Sequence, residues 1–289
     1  MSLTTNRSIL VRQSVLGEIS SPTVRQPYRV GADAVARALP GTGGITYNVR
    51  VGDPALGWAG DHVEPSVSTK NRDADANGAY TLLACVGNLA VVVSGDAKGA
   101  AGRVTGKHGG IEHVLVDFAP EVMEKLVIGD RVQVQAFGVG LALPDYPGVR
   151  AMSLDPDLLL AMDPKPTRDG RLQVAVTAVV PAHLMGSGIG SPTAERGDYD
   201  ITTQDAEAVA ALGLGGLRLG DVVAIADRSS QYGRSYRHGA LEIGVVVHCD
   251  SYLSGHGPGV TTLLTCQDGT MVPVLDPEAN IARYLSLRS

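Results

Sequence analysis

Glycine and proline constrain the fold of this chain most, because they occupy 36 and 16 of its 289 positions. Both residue types favour turns and interrupt helices, so they divide the chain into short segments that suit strands better than long helices. Aromatic residues make up only 4% of the chain, against 44% for all hydrophobic residues, and the core is therefore expected to be aliphatic. We predict an α+β fold that is mainly β, built as small barrels or sandwiches with a few short helices.

Chain length and local composition indicate two β-rich halves. Single hydrophobic cores stop growing at roughly 250–300 residues, which is the size of this chain. The segment 155–171 carries prolines among charged residues, as linkers often do. Leu126–Val132 and Leu217–Val223 also repeat a pattern in which Gly-Asp precedes a candidate strand. We predict an N-terminal β-rich domain over 1–150 and a C-terminal α+β domain over 151–289.

Charge, apolar runs and cysteines argue against several classes of protein. The net charge is −6, whereas proteins that bind nucleic-acid phosphates usually carry a basic surplus. The chain shows no signal-peptide pattern, and its strongest apolar runs, 89–93 and 243–247, are too short to cross a bilayer. The three cysteines form no CxxC pair and are expected to be reduced. We expect a cytoplasmic homo-oligomer with a small-molecule substrate or ligand and no membrane partner. A nucleic-acid partner is disfavoured, though not excluded.

The strongest candidate site lies in 241–260. Alternation along a strand places His248 and Asp250 on one face, about 7 Å apart as next-but-one neighbours. The strand runs into a glycine-rich loop that carries His256. Two imidazoles and a carboxylate can ligate a divalent metal or share acid–base work, so we predict that His248, Asp250 and His256 are catalytic. The alternative is a hydrogen-bonded pair in a buried turn.

A second candidate lies in 57–65, where Asp61 and His62 follow Trp58. Adjacent residues in an extended loop point apart, so these two need donors from elsewhere to complete a metal site. We predict a divalent metal held by Asp61, His62, His248 and His256, with Trp58 as a wall of the substrate pocket. The alternative is a surface turn anchored by Trp58.

Basic residues supply further candidates for substrate binding. Lys107 and His108 lie in a glycine-rich turn and suit an anion contact or a proton donor, whereas His113 is expected to be a core histidine. Arg234 and Arg237 lie between tyrosines, and guanidinium groups bind carboxylates or phosphates bidentately. A solvated loop is the alternative for these arginines.

The glycine-rich loop 186–190 is similar to a phosphate-cradling loop. It lacks the Lys-Ser/Thr ending, and no helix is predicted directly after it. We therefore expect no nucleotide cofactor.

The segment Ser94–Val104 resembles the KOW motif of SH3-like barrels in ribosomal and transcription proteins. Its glycine spacing implies a small barrel in the N-terminal half. The same resemblance makes an RNA- or ribosome-associated factor one alternative function.

Four longer motifs, at 57–68, 106–118, 186–201 and 255–265, resemble an uncharacterised bacterial and archaeal family of unknown function with N- and C-terminal parts. That resemblance spans about 45–270 and lends no catalytic residues. A fainter similarity links 197–200, Gly220-Asp221 and 248–256 to the acetamidase/formamidase family of metal-assisted amide hydrolases, as an analogy only.

The leading functional prediction is a small-molecule enzyme that hydrolyses a C–N bond with help from a divalent metal. Arg234 or Arg237 would position a carboxylate of the substrate. The first alternative is a non-catalytic protein that binds a small ligand or regulator in the same pocket. The second is the RNA-associated factor implied by the KOW-like turn.

Overall fold

The computed structural model describes residues 3–24 and 26–288. Strands dominate and the helices are short, which confirms the predicted fold class. The strands are β1 Gln13–Ile19, β2 Arg29–Val30, β3 Ala36–Arg37, β4 Ile45–Thr46, β5 Ser66–Lys70, β6 Leu89–Val92, β7 Ala101–His108, β8 His113–Asp117, β9 Arg131–Ala136, β10 Val149–Ala151, β11 Lys165–Pro166, β12 Leu172–Val176, β13 Ala178–Pro181, β14 Val222–Ser229, β15 Ser235–His248, β16 Gly259–Cys266 and β17 Met271–Leu275. The helices are α1 Ala74–Leu83, α2 Pro120–Met123, α3 Pro156–Met162, α4 Ala206–Ala211 and α5 Ile281–Tyr284.

Six strands of the N-terminal half close into a barrel in the order β1-β9-β6-β7-β8-β5, with β5 pairing back to β1. Side chains alternate along each strand between the barrel interior and its outside. In β9, Val132 and Val134 are buried, whereas Arg131 and Gln133 are exposed. The interior is packed with valines, alanines and a few larger side chains. The expected aliphatic core is therefore present, and it forms a closed barrel.

The C-terminal half is built on a five-stranded sheet in the order β10-β16-β15-β14-β13. The long strand β15 is central and is buried from Ala240 to its end at His248. Barrel strand β7 packs against this sheet. Gly106 allows the close approach, because a Cβ there would lie 2.3 Å from a methyl group of Val247. The ends of β7 and β15 therefore meet, and each end carries a histidine.

One apolar core is shared by the two halves. It joins residues of the N-terminal half, such as Leu115 and Leu143, to Leu158 of α3 and Ile243 of β15. Strand β10 spans the predicted domain boundary at residue 150 and pairs with β16. The two halves are consequently packed face to face, with side chains from both contributing to the same interior.

Two helices occupy segments that periodicity did not mark as helical. Helix α1 takes up the first part of the apolar run 80–86 and begins where the Asp73 side chain accepts a hydrogen bond from Ala76 N at 2.8 Å. The predicted linker 155–171 contains α3, which is capped by Asp155 and buries Leu158 and Leu159. In both cases an N-terminal aspartate cap starts a helix that periodicity alone did not reveal.

The two Gly-Asp turns do adopt the same geometry. Gly129 and Gly220 have positive φ values of +91° and +85°. The following carboxylates accept backbone hydrogen bonds three residues back, from Val127 to Asp130 at 3.0 Å and from Arg218 to Asp221 at 2.8 Å. In the described part of the chain, no helix is long and apolar enough to cross a membrane.

Candidate functional site

Four histidines gather where the barrel meets the C-terminal sheet. His108 ends β7 and His248 ends β15, while His62 and His256 come from loops. The ring centroids of His108 and His248 are 4.2 Å apart, those of His62 and His248 5.2 Å, and those of His62 and His256 5.0 Å. Asp198 and Asp200 complete the cluster. Its donor atoms form two groups in which all atoms lie within 4.8 Å of one another: group 1 is His108, Asp198 and His248, and group 2 is His62, Asp200 and His256.

In group 1, each side chain uses one polar atom to fix its orientation. His248 donates from Nδ1 to the carbonyl of Cys249 at 2.8 Å, and His108 donates from Nδ1 to Glu64 Oε1 at 2.6 Å. Asp198 Oδ1 accepts from the backbone N–H of Gly109 at 2.7 Å. The second atom of each side chain, Nε2 or Oδ2, therefore remains for a ligand.

The remaining atoms of His248 and Asp198 show what kind of ligand fits. Their Nε2 and Oδ2 atoms are 2.7 Å apart and buried, yet they are not aligned for a hydrogen bond, and neither finds another partner among residues 3–24 and 26–288. Burying two polar atoms without a hydrogen bond costs free energy unless a bound ion or molecule interacts with both of them. Imidazole and carboxylate donors around a zinc ion at about 2.0–2.2 Å would lie roughly 3–3.5 Å apart, so a small displacement admits a cation.

The backbone beside this pair is kept clear by Gly259. A Cβ at this position would lie 2.0 Å from Asp198 Oδ2 and 2.2 Å from His248 Nε2. Any residue other than glycine would therefore occupy the space next to the two free donor atoms. The space left open by Gly259, here called the glycine cradle, lies beside the two donor atoms that lack hydrogen bonds. Together they fit a bound divalent cation.

Group 2 lies closer to solvent. His256 Nδ1 is 2.8 Å from Asp200 Oδ2 and 3.1 Å from His62 Nε2, and the third side of this triangle, His62 to Asp200, measures 3.5 Å. The side chain of His62 is 9% exposed, whereas that of His256 is 35% exposed. His62 has a left-handed backbone with φ of +52°, which is held in place by a hydrogen bond from its N–H to Asp250 O at 3.1 Å.

Glu64 supports the cluster from behind. Its fully buried carboxylate accepts hydrogen bonds from His108 Nδ1, from His113 Nδ1 at 2.9 Å, from Gly43 N at 2.6 Å and from Ser68 Oγ at 2.5 Å. Burial would raise the pKa of Glu64, but the two imidazoles hold it well below its usual range. A carboxylate behind an imidazole fixes the ring and increases its basicity as a ligand.

The buried charges of the cluster are mutually dependent. Burial alone would lower the pKa of His248, but the carboxylates of Asp198 and Asp200 hold it well above its ordinary value. Burial likewise opposes ionisation of both aspartates, and the neighbouring imidazoles nevertheless lower their pKa values. The imidazoles and the carboxylates therefore stabilise each other's charged forms in this buried site.

Of the residues predicted to bind metal or act in catalysis, His62, His248 and His256 converge. Asp250 does not join them, because β15 ends at His248 and the strand alternation stops there; its Oδ1 instead accepts from Thr203 Oγ1 at 2.6 Å. Asp61 lies behind His62, with Oδ1 at 3.4 Å from His62 Nδ1 and at 2.7 Å from Ser251 Oγ.

Some of the predicted substrate-binding residues also lie in the site, and others lie outside it. His108 lies within group 1. Lys107, on the opposite face of β7, is buried and donates from Nζ to Glu195 O at 2.6 Å, and burial lowers its pKa to about 8. Trp58 donates to Pro54 O at 2.7 Å and lines a different cavity, while Arg237 is exposed.

Arg234 reaches the site. It is 6% exposed and lines a cavity of about 270 Å³ together with Arg196, the glycine-rich loop at Gly188 and every donor residue except His248. Its Nε has no hydrogen-bond partner within the described residues. A second cavity of about 740 Å³ opens beside His62, His108 and His256.

Sequence reasoning missed Asp198, Asp200 and Glu64 as members of the site. A signal for the two aspartates was present, because Asp198-Tyr199-Asp200 places two carboxylates on one side of an extended segment. Tyr199 points the opposite way and is buried in an apolar cluster of the C-terminal half. Glu64 gave no comparable signal, since its partners are distant in sequence.

The comparisons with known proteins agree with this architecture. The protein-family model described as "Domain of unknown function (DUF4438), N-terminal" matches residues 28–160 of the sequence. The family model of the C-terminal domain matches residues 162–285. The chain belongs to the DUF4438 family. The predicted resemblance to an uncharacterised family with N- and C-terminal parts is thereby confirmed.

The chain is also similar to a protein whose structure has been solved. The chain is similar to the crystal structure of TM1086, with 47% sequence identity and a TM-score of 0.94, and the match covers 98% of this chain and 99% of the other. No curated protein matches this chain.

Proposed function

We propose that this chain is a metal-dependent hydrolase that cleaves an amide-type C–N bond in a small substrate bearing an anionic group. The observation that carries the proposal is the buried contact of His248 Nε2 with Asp198 Oδ2, which are 2.7 Å apart without hydrogen-bond geometry and lie beside the space left open by Gly259. The donor set of imidazoles and carboxylates suits zinc and other divalent first-row ions.

The reaction itself is a hydrolysis with a simple balance. Water adds to the carbonyl carbon, the C–N bond breaks, and one proton of the water ends on the amine nitrogen, which leaves a carboxylic acid and an amine. A divalent cation held by the two donor groups would supply positive charge that polarises the carbonyl group and lowers the pKa of a water molecule. The chain's own donors would hold that charge in a partly enclosed pocket, where electrostatic effects are larger than in bulk water.

Arg234 gives the substrate its orientation in this proposal. Arg234 lines the same cavity as five of the six donor residues, all except His248, and its Nε is unpaired among the described residues. Guanidinium groups bind carboxylates and phosphates through two parallel hydrogen bonds. A cavity of about 270 Å³ suits a substrate of metabolite size.

Metal analysis and hydrolysis assays test the proposal together. Protein purified without a nickel column should contain a divalent metal, and it should hydrolyse carboxylate-bearing amides such as N-acetylglycine or N-carbamoylglycine. Removal of the metal by a chelator should abolish turnover, and zinc or manganese should restore it. Absence of metal, with melting unchanged by added zinc, manganese or calcium, would overturn the proposal.

A matched pair of arginine variants tests substrate orientation. Arg234→Lys should lower kcat/KM by about tenfold or more, mainly through KM, because a lysine cannot form the paired hydrogen bonds. Arg237→Lys, on the exposed part of the same segment, should leave kinetics unchanged. Metal binding and ligand-induced stabilisation without any turnover would instead favour a non-catalytic binding protein.

The proposal places the enzyme in the cytoplasm. Cys85, Cys249 and Cys266 are all buried as free thiols, which suits a reducing compartment.

A further inference from the structure

We infer that the cluster binds two divalent cations side by side, with the carboxylate of Asp200 bridging them. This inference rests on the metal binding of the proposed function, but it does not depend on the reaction. It follows from how the six donors are divided, from the position of Asp200 and from the burial of the two carboxylates.

The six donors form two complete groups. Group 1 and group 2 share no residue, and each contributes two imidazoles and one carboxylate. Three protein donors with an open position are the usual ligand set of a catalytic zinc ion. Each group is therefore sufficient for one ion, and neither needs to borrow a side chain from the other.

Asp200 connects the groups through its two oxygens. Oδ2 faces group 2, at 2.8 Å from His256 Nδ1 and 3.5 Å from His62 Nε2. Oδ1 faces group 1, at 3.6 Å from His248 Nε2. A carboxylate that presents one oxygen to each group suits a pair of ions about 3.5–4 Å apart, which is the spacing of two-metal hydrolytic sites.

The carboxylates of both donor groups are buried. Asp198 of group 1 is 7% exposed and Asp200 of group 2 is 5% exposed. Buried carboxylates in proteins are paired with positive charge or coordinate metals, and one cation in each group would supply that partner to both.

Metal counting provides the primary test. Protein stripped with a chelator is titrated with manganese(II), and bound metal is measured by equilibrium dialysis with elemental analysis. We expect saturation at two ions per chain and an electron paramagnetic resonance spectrum of exchange-coupled manganese. Saturation at one ion, or two ions with uncoupled spectra, would overturn the inference.

Two variants show which carboxylate couples the ions. Asp200→Asn should reduce the count to one ion and remove the coupled spectrum, whereas Asp250→Asn, a nearby carboxylate bonded to Thr203, should keep both ions and the coupling. If Asp200→Asn fails to fold, His256→Ala replaces a partly exposed loop residue and should leave one ion bound. Retention of two coupled ions in either site variant would contradict the assignment.

The number of bound ions is tested independently of the proposed hydrolysis. Two coupled ions without hydrolysis would keep this inference and remove the hydrolase. Hydrolysis with a single ion would keep the hydrolase and remove the second ion.

Discussion

The two donor groups are chemically alike, but they are built on different kinds of structure. In group 1, both imidazoles lie at the ends of paired strands, and their side chains are 9% exposed or less. In group 2, both imidazoles come from loops, and His256 is 35% exposed. Donors on strands are held in place by the hydrogen-bond ladder, whereas donors on loops can move and meet a ligand. We therefore expect group 1 to bind metal more tightly and group 2 to face the substrate.

The largest effect is expected from Gly259→Ala. The added methyl group would lie within about 2 Å of both free donor atoms of group 1, so Asp198 and His248 cannot keep their positions. We expect group 1 to lose its metal entirely, as measured by equilibrium dialysis.

Gly215→Ala is the matched control for Gly259→Ala. Its added Cβ meets no atom within 4 Å, so metal binding should be unchanged. Wild-type affinity in Gly259→Ala would show that the cradle is not part of the site.

Removing one imidazole from each group in turn tests whether group 1 binds metal more tightly than group 2. His248→Ala should abolish the tighter site and weaken the other, because His248 also approaches Asp200. His256→Ala should weaken only the looser site, by roughly 100-fold or more, since removal of a ligand exceeds the 10–100-fold cost of losing an outer partner. Equal losses in the two variants, measured by isothermal titration calorimetry, would contradict the comparison.

Glu64→Gln tests the support behind group 1. A neutral amide cannot accept the two imidazole hydrogen bonds as a carboxylate does, and we expect metal affinity in group 1 to fall by about 10–100-fold. Glu124→Gln, on an exposed residue, is the control. If titration shows the wild-type affinity for Glu64→Gln, Glu64 has only a packing role.

The smallest effect is expected from Asp61→Asn. Asp61 contacts His62 at 3.4 Å, longer than the 2.6 Å contact between Glu64 and His108, and its side chain is 14% exposed. We expect affinity in group 2 to fall by less than about tenfold. A loss larger than that of Glu64→Gln would reverse the proposed order of the two groups.

Much of the fold was predictable because strands and turns leave local signals. Alternating valines marked β9, and glycine followed by aspartate marked the start of β14. Helix α1 was missed because its apolar residues around Tyr80 also suit a strand, and only the Asp73 cap distinguishes them. A small barrel in the N-terminal half was predicted, but the strands that close it were not, since the pairing of β1 with β5 joins segments about fifty residues apart.

The site was predictable where a strand orders its residues and unpredictable where distant loops meet. His248 and His256 were found from one strand and the loop that follows it. His62 joins them because 61–63 docks on 249–250, through backbone bonds such as Cys249 N to Val63 O at 2.9 Å. Asp250 was placed in the site by extending strand alternation two residues past the end of β15.

The division of donors between the two halves has a consequence for biosynthesis. His62 and His108 are made first, whereas Asp198, Asp200, His248 and His256 follow much later in the chain. Because a protein emerges from the ribosome in order, the early half offers only two imidazoles and neither complete donor group. In the proposed metal-binding protein, metal loading would therefore follow translation of nearly the whole chain, and a prematurely terminated product would not bind metal by this route.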